Sequence, residues 1–117
     1  MIDNKLISRL EYEIINNLNQ YNMKCSERDY FYEIKDEFVI YTIAMGEQPS
    51  GGYSINVKKI KIKGNSATIY VTERVPDKEY IVNDVLTYPI VQVKFNQFPF
   101  QMTVINYETG ERLPILM

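Results

Sequence analysis

Phe38-Val39-Ile40-Tyr41-Thr42-Ile43-Ala44 is the stretch that most restricts the fold of this chain. All but Ala44 are aromatic or β-branched, residue types that lose side-chain freedom in a helix and pack well on a pleated surface. Seven residues are a strand's length rather than a helix's. Because both faces of the run are largely apolar, both must be covered, and the sequence predicts a central strand.

A central strand needs neighbours, and the flanking sequence supplies them. Phe31-Tyr32-Glu33-Ile34 precedes it across a Lys35-Asp36-Glu37 turn. Further on, Tyr53, Ile55 and Val57 fall on one strand face, whereas Ile60 and Ile62 fall on the opposite parity. One extra residue near Lys58-Lys59 restores a single apolar face, so a β-bulge is expected there. Gly64-Asn65 marks a tight hairpin turn into Ala67-Thr68-Ile69-Tyr70-Val71-Thr72, and Pro76 ends that strand. Residues 77–87 read as a long crossing loop. In 88–95, Pro89, Val91, Val93 and Phe95 alternate toward one side, with Pro89 confined to a strand start or edge. A last hairpin is expected to pair 102–107 with 112–116, turning through Glu108-Thr109-Gly110-Glu111.

The N-terminal residues have a different spacing. Leu6, Ile7, Leu10, Ile14, Leu18 and Tyr21 recur at three- and four-residue steps, which predicts an amphipathic helix over 3–21, capped by Asp3 or Asn4 and ended at Asn22. Its bland role is to cover an apolar sheet face, and its alternative role is to bind a partner. The resulting expectation is a mainly β fold, α+β at the margin. It is an antiparallel β-sandwich or open barrel of six to seven strands in 30–116, behind one N-terminal helix. No repeat or linker divides the 117 residues, so one domain over 1–117 is expected. A chain of that length buries roughly two thirds of its unfolded surface, enough for a core without metal or disulfide staples.

Charge and residue usage narrow the function. The formal net charge of −2 gives no global attraction to nucleic acid or anionic membrane. Cys25 is the one cysteine, which excludes an internal disulfide. Without an apolar signal-peptide stretch or a lipobox, the chain as written is expected in a reduced, cytoplasmic setting, or outside the cytoplasm if a leader has been trimmed away. Histidine is absent altogether. That removes the Ser/His/Asp triad, the Cys/His dyad and the commonest zinc ligand. No phosphate-binding glycine loop is present, and the carboxylate pairs Glu11/Glu13, Asp36/Glu37 and Asp77/Glu79 lie in contexts typical of solvated faces. The expectation is a protein that is not an enzyme, with no cofactor and no metal.

Lys58, Lys59, Lys61 and Lys63 form the densest basic run, and Tyr53 and Tyr70 lie near it in sequence. Such a strand suits single-stranded nucleic acid, whose phosphates pair with lysine and whose bases stack on aromatic rings. Lysines alternating with Ile60 and Ile62 equally describe a solvated strand that resists edge-to-edge aggregation. The solvated reading is favoured and the nucleic-acid reading is its alternative.

The segment Gln48-Pro49-Ser50-Gly51-Gly52-Tyr53 is the remaining singular feature. Pro49 presets a turn and the glycines permit positive φ. One glycine would serve a plain turn, whereas two leave a stretch of bare backbone that another chain can approach. Gly46-Glu47-Gln48-Pro49-Ser50-Gly51-Gly52-Tyr53-Ser54-Ile55, the lysine-rich strand, Thr72-Glu73-Arg74-Val75-Pro76 and Leu86-Thr87-Tyr88-Pro89-Ile90-Val91-Gln92-Val93, in that order, resemble the C-terminal domain of the protease complex subunit PrcB family over about 38–95. The resemblance implies a non-catalytic protein that assists a protease complex, often outside the cytoplasm. A looser likeness links 48–53, with Arg74-Val75-Pro76, to the loops of chagasin-type peptidase inhibitors, which are Ig-like sandwiches. These resemblances and the loop chemistry place a partner-binding site at Pro49, Ser50, Gly51, Gly52, Tyr53, Arg74, Pro76, Tyr88 and Pro89. The expected partner is another protein, a protease among the candidates, with no membrane contact.

Overall fold

A computed structural model describes residues 9–19, 25–77 and 85–116, with 16–19 described by backbone alone. Among the described residues the chain forms seven strands: β1 (Tyr12–Asn19), β2 (Tyr30–Lys35), β3 (Phe38–Ala44), β4 (Ser54–Lys63), β5 (Ser66–Arg74), β6 (Pro89–Phe95) and β7 (Gln101–Asn106). They make two sheets, β1-β6-β3-β2 and β4-β5-β7. The fold is mainly β and neither sheet closes into a barrel.

The apolar run that forms β3 is an interior strand, flanked by β2 and β6. Val39, Tyr41 and Ile43 of β3 join Val91, Val93 and Phe95 of β6 on one face, opposite Ile55 of β4, Ala67, Ile69 and Val71 of β5, and Val104 of β7. Each fully buried valine or isoleucine of this core contributes about 1.5–3 kcal/mol relative to leaving it in water. Tyr41 meets the Phe95 ring edge-on at 5.7 Å between centroids. The reverse face of the first sheet buries a smaller group, Cys25, Phe31, Ala44 and Ile90, with Tyr88 against it. Both faces of β3 are therefore covered, as its composition requires.

Local turn chemistry follows the sequence closely. The β2–β3 turn carries Asp36 at φ 53, a conformation that aspartate tolerates, and Gly64 turns the β4–β5 hairpin at φ 60. The β4–β5 register shifts between Val57 and Lys59, which is the expected bulge. Ile55, Val57 and Ile60 consequently all meet the core.

Three expectations need correction. Residues 9–19 of the expected helix are not helical, since β1 runs antiparallel to β6 from Tyr12↔Phe95 to Asn19↔Pro89. The four-residue steps Leu10, Ile14 and Leu18 also equal two strand periods, so they cannot separate helix from strand by themselves. The free edge of β6 decides between them. Five of the seven β6 residues are buried, and pairing with β1 gives the backbone groups along that edge their partners. The ends of that expected helix, with their caps, lie outside the described residues, as does 78–84 of the expected crossing loop.

The second correction concerns β5 and β7, which pair in parallel, Ser66↔Gln101 to Val71↔Asn106. β6 intervenes in the opposite sheet, so the chain returns to the second sheet running in its earlier direction. Third, the expected C-terminal hairpin shrinks to one bridge, Ile105↔Arg112, beside the Leu113 N–H to Val104 carbonyl bond. The chain then crosses to the first sheet, where Tyr30 donates to the Pro114 carbonyl at 3.0 Å and accepts from Leu116 at 2.7 Å.

Candidate functional site

The loop between β3 and β4 is held by backbone bonds to two other segments. Gly46 has φ 86, and a Cβ there would lie 3.1 Å from the Arg28 nitrogen, so glycine is required both by conformation and by the close approach of 27–28. Glu47 donates to the Ser26 carbonyl at 3.0 Å, and Gln48 exchanges two 2.9 Å bonds with Thr87. The Thr87 hydroxyl then donates to the Ser50 carbonyl at 2.8 Å. The Tyr88 hydroxyl reaches the Glu47 carboxylate at 2.7 Å, and Met45 donates to the Pro89 carbonyl. The segments 46–50 and 87–89 are thereby locked side by side.

The two central glycines differ. Gly52 sits at φ 90, whereas Gly51 has no positive φ. The turn needs Gly52 for its backbone, and Gly51 leaves backbone bare without a conformational reason. Beyond the turn, Tyr53 packs on the main core and Ser54 pairs with Arg74 at the end of β5. The sequence elements 48–53, 74–76 and 87–89 are thus joined in space, the loop meeting Thr87 at one end and Arg74 at the other.

Not all nine candidate residues face water. Pro49, Gly52 and Arg74 are exposed; Ser50, Gly51, Tyr53, Pro76 and Tyr88 are half-buried; Pro89 is buried at the start of β6. Tyr88 and Pro89 serve the loop by holding Glu47 and Met45. The sequence gives no hint of the exposed apolar side chains on the flanking segments, Val75 (63% exposed), Val85 (57%) and Leu86 (54%).

A second arrangement also escapes sequence reasoning. Arg28 grips the Glu73 carboxylate with two bonds of 2.8 and 2.7 Å, Asn106 adds a third at 2.8 Å, and Glu111 lies 3.3 Å from the same guanidinium. Burial pushes the Glu73 carboxyl up, but the hydrogen bonds from Arg28 and Asn106 and the Arg28 charge outweigh it and hold it below its ordinary range. Glu73 is 10% exposed, and this network ties the segment before β2 to the end of β5 and to β7. Asp29, next to Arg28, is the reverse case: it is 5% exposed, and its Oδ1 has no hydrogen-bond partner. Burial first, and the charge of Glu27 second, push its carboxyl up. Burial, then Asp29, likewise pushes up the Cys25 thiol, which makes it a poor nucleophile.

On the outer face of β4-β5-β7, Lys58, Lys59 and Lys61 gather around the Tyr70 and Tyr107 rings, with Nζ-to-centroid distances of 5.0–5.8 Å. Tyr107, on the segment following β7, is far from these lysines in sequence and reaches them through the pairing of β5 with β7. An open groove of about 670 Å³ continues this face from Lys58 and Tyr107 toward Ser54 and Arg74. Among the described residues, no three acidic or cysteine side chains converge as metal ligands, and no helix is long and apolar enough to cross a membrane.

Comparison with known proteins falls on the same stretch of chain. A family model described as PrcB C-terminal matches residues 39–96, about half the chain, from β3 through the loop and the β4–β5 hairpin to just past β6. An uncharacterized protein of Methanocaldococcus jannaschii is 33% identical over 91 residues, covering 78% of this chain and 53% of the relative. The chain thus spans about half the length of that curated relative. No solved structure matches it. The loop signature, its partner segments and the strands that carry them coincide with the matched region, and over residues 39–96 the chain belongs to the PrcB C-terminal family.

Proposed function

We propose that this protein is a non-enzymatic binding module that contacts another protein through the end of the fold formed by 48–53, 74–76 and 85–89. The observation that carries this reading is the exposure of Val75, Val85 and Leu86 on the segments bonded to the loop. Exposed apolar side chains beside a fixed loop give a partner apolar area to bury. The loop between them is pinned to Ser26, Thr87 and Arg74, so a partner would meet a preorganised surface and lose little entropy in ordering it. Gly51 adds a strip of backbone open to close approach. A protease, or a subunit that accompanies one, is the partner class that family membership favours.

The test is site-specific photocrosslinking in cells of the source organism. A photoreactive residue at Pro49 or Val75 is expected to give one discrete heavier adduct, and the same residue at Glu33, on β2, none. Adducts of equal yield at both places, or none at 49 and 75, would remove the loop end as the binding surface.

A further inference from the structure

The bulge in β4 does more than restore an apolar face. Because the register shifts between Val57 and Lys59, Lys58 and Lys59 both turn outward, in line with Lys61 and Lys63. Two consecutive lysines of a regular strand would have pointed to opposite sides. A chain with net charge −2 thus concentrates four cations on one sheet face. Among the described residues none of the four has a carboxylate within salt-bridge distance; the ion pairs involve Arg28 and Lys35 instead. Their neighbours are aromatic: Lys59 lies 5.0 Å from the Tyr70 centroid and 5.3 Å from that of Tyr107, and the two rings meet edge-to-face at 6.2 Å. Tyr107 is 45% exposed.

We infer that this face of β4-β5-β7 binds single-stranded nucleic acid. Lys59, Lys61 and Lys63 recur at every second residue, roughly 6.6 Å apart at the usual strand rise, a repeat comparable with phosphates along an extended single strand. Tyr70 and Tyr107 supply ring faces among those charges, on which bases stack once the lysine heads shift to the phosphates. An acidic protein segment would use the lysines but leave the rings without a role. A duplex would bring its phosphates on a stiff cylinder that cannot lay bases on Tyr107. The groove that continues this face borders the loop end at Arg74 and Val75; Lys59, Lys61 and Tyr107 lie outside the loop end, so substitutions there test this binding by itself.

The experiment is fluorescence anisotropy with a labelled oligothymidylate, titrated with salt, on the full chain. The expected result is binding whose log K falls with log salt by about 0.7 for each phosphate contacted, hence a slope near −3 for four lysines. Lys59→Glu with Lys61→Glu should weaken it more than tenfold, and Tyr107→Ala severalfold with the slope unchanged. Lys59→Gln with Lys61→Gln repeats the test if charge reversal disturbs folding, which circular dichroism reports. Duplex of the same sequence and polyglutamate of equal charge should compete poorly. Absence of binding, a salt slope near zero, or polyglutamate competing as well as the oligonucleotide would each overturn the inference, the last in favour of an acidic protein segment.

Discussion

Arg28 and Glu73 stand 45 positions apart and meet through two parallel hydrogen bonds, with Asn106 completing the carboxylate's shell. A paired guanidinium and carboxylate of this geometry form bonds roughly twice as strong as neutral ones. Arg28→Met leaves a largely buried carboxylate with one donor, and an unfolding titration should show a loss of about 1–3 kcal/mol. Glu73→Gln removes the charge and keeps an acceptor, so it should cost less.

Glu73 also sets a pH dependence. Its folded carboxyl is held below the ordinary value of 4.5, so its contribution is complete above that value and disappears as pH falls through the depressed one. Thermal melts of the wild type below pH 4.5 should lose this increment progressively, and Glu73→Gln should flatten that part of the profile.

Asp29 should behave with the opposite sign. Its folded carboxyl lies above the ordinary 3.8, so the folded state takes up the proton first and is favoured as pH falls through the raised value. The charged form of this buried side chain, with Oδ1 unpartnered, is a burden to the fold. Asp29→Asn is expected to stabilise the protein by about 1 kcal/mol at pH 7, measured by denaturant unfolding, and to abolish this acid-side gain.

Two glycines with similar backbone angles offer a controlled comparison. Gly46 and Gly110 have φ 86 and φ 77, but a Cβ at 46 meets Arg28 backbone at 3.1 Å whereas one at 110 meets nothing within 4 Å. Gly110→Ala should cost about 1 kcal/mol for conformation alone. Gly46→Ala should cost clearly more, because the 27–28 backbone must move. Equal losses in unfolding experiments would show that the close approach is not maintained in solution.

The elements legible in the sequence were those whose signal is local. The two apolar faces of 38–44 announced an interior strand, the parity change at Lys58-Lys59 announced a bulge, and Gly64 a hairpin turn. β1 was obscured because steps of four satisfy helix and strand alike, and only the edge of β6, some eighty residues away, distinguishes them. The parallel partnership of β5 and β7 leaves no local trace, since it depends on β6 lying in the other sheet. The candidate loop was legible as a motif. Its attachment to Thr87 and Arg74, the exposure of Val75 and Leu86, and the approach of Tyr107 to the lysines arise from long-range pairing, which no spacing encodes.

The distinction between Gly51 and Gly52 gives the most direct test of the binding-loop account. Gly52 occupies φ 90, so any side chain there strains the turn and confounds fold with function. Gly51 is free of that constraint, and its half-buried backbone lies in the centre of the loop. The decisive measurement is the affinity of the crosslinked partner for wild type and Gly51→Trp, with both melting temperatures recorded. The account predicts at least a tenfold loss of affinity and a melting temperature within a few degrees of wild type. Unchanged affinity, or a loss matched by a collapse in stability, would contradict it and return 48–53 to a corner of the fold.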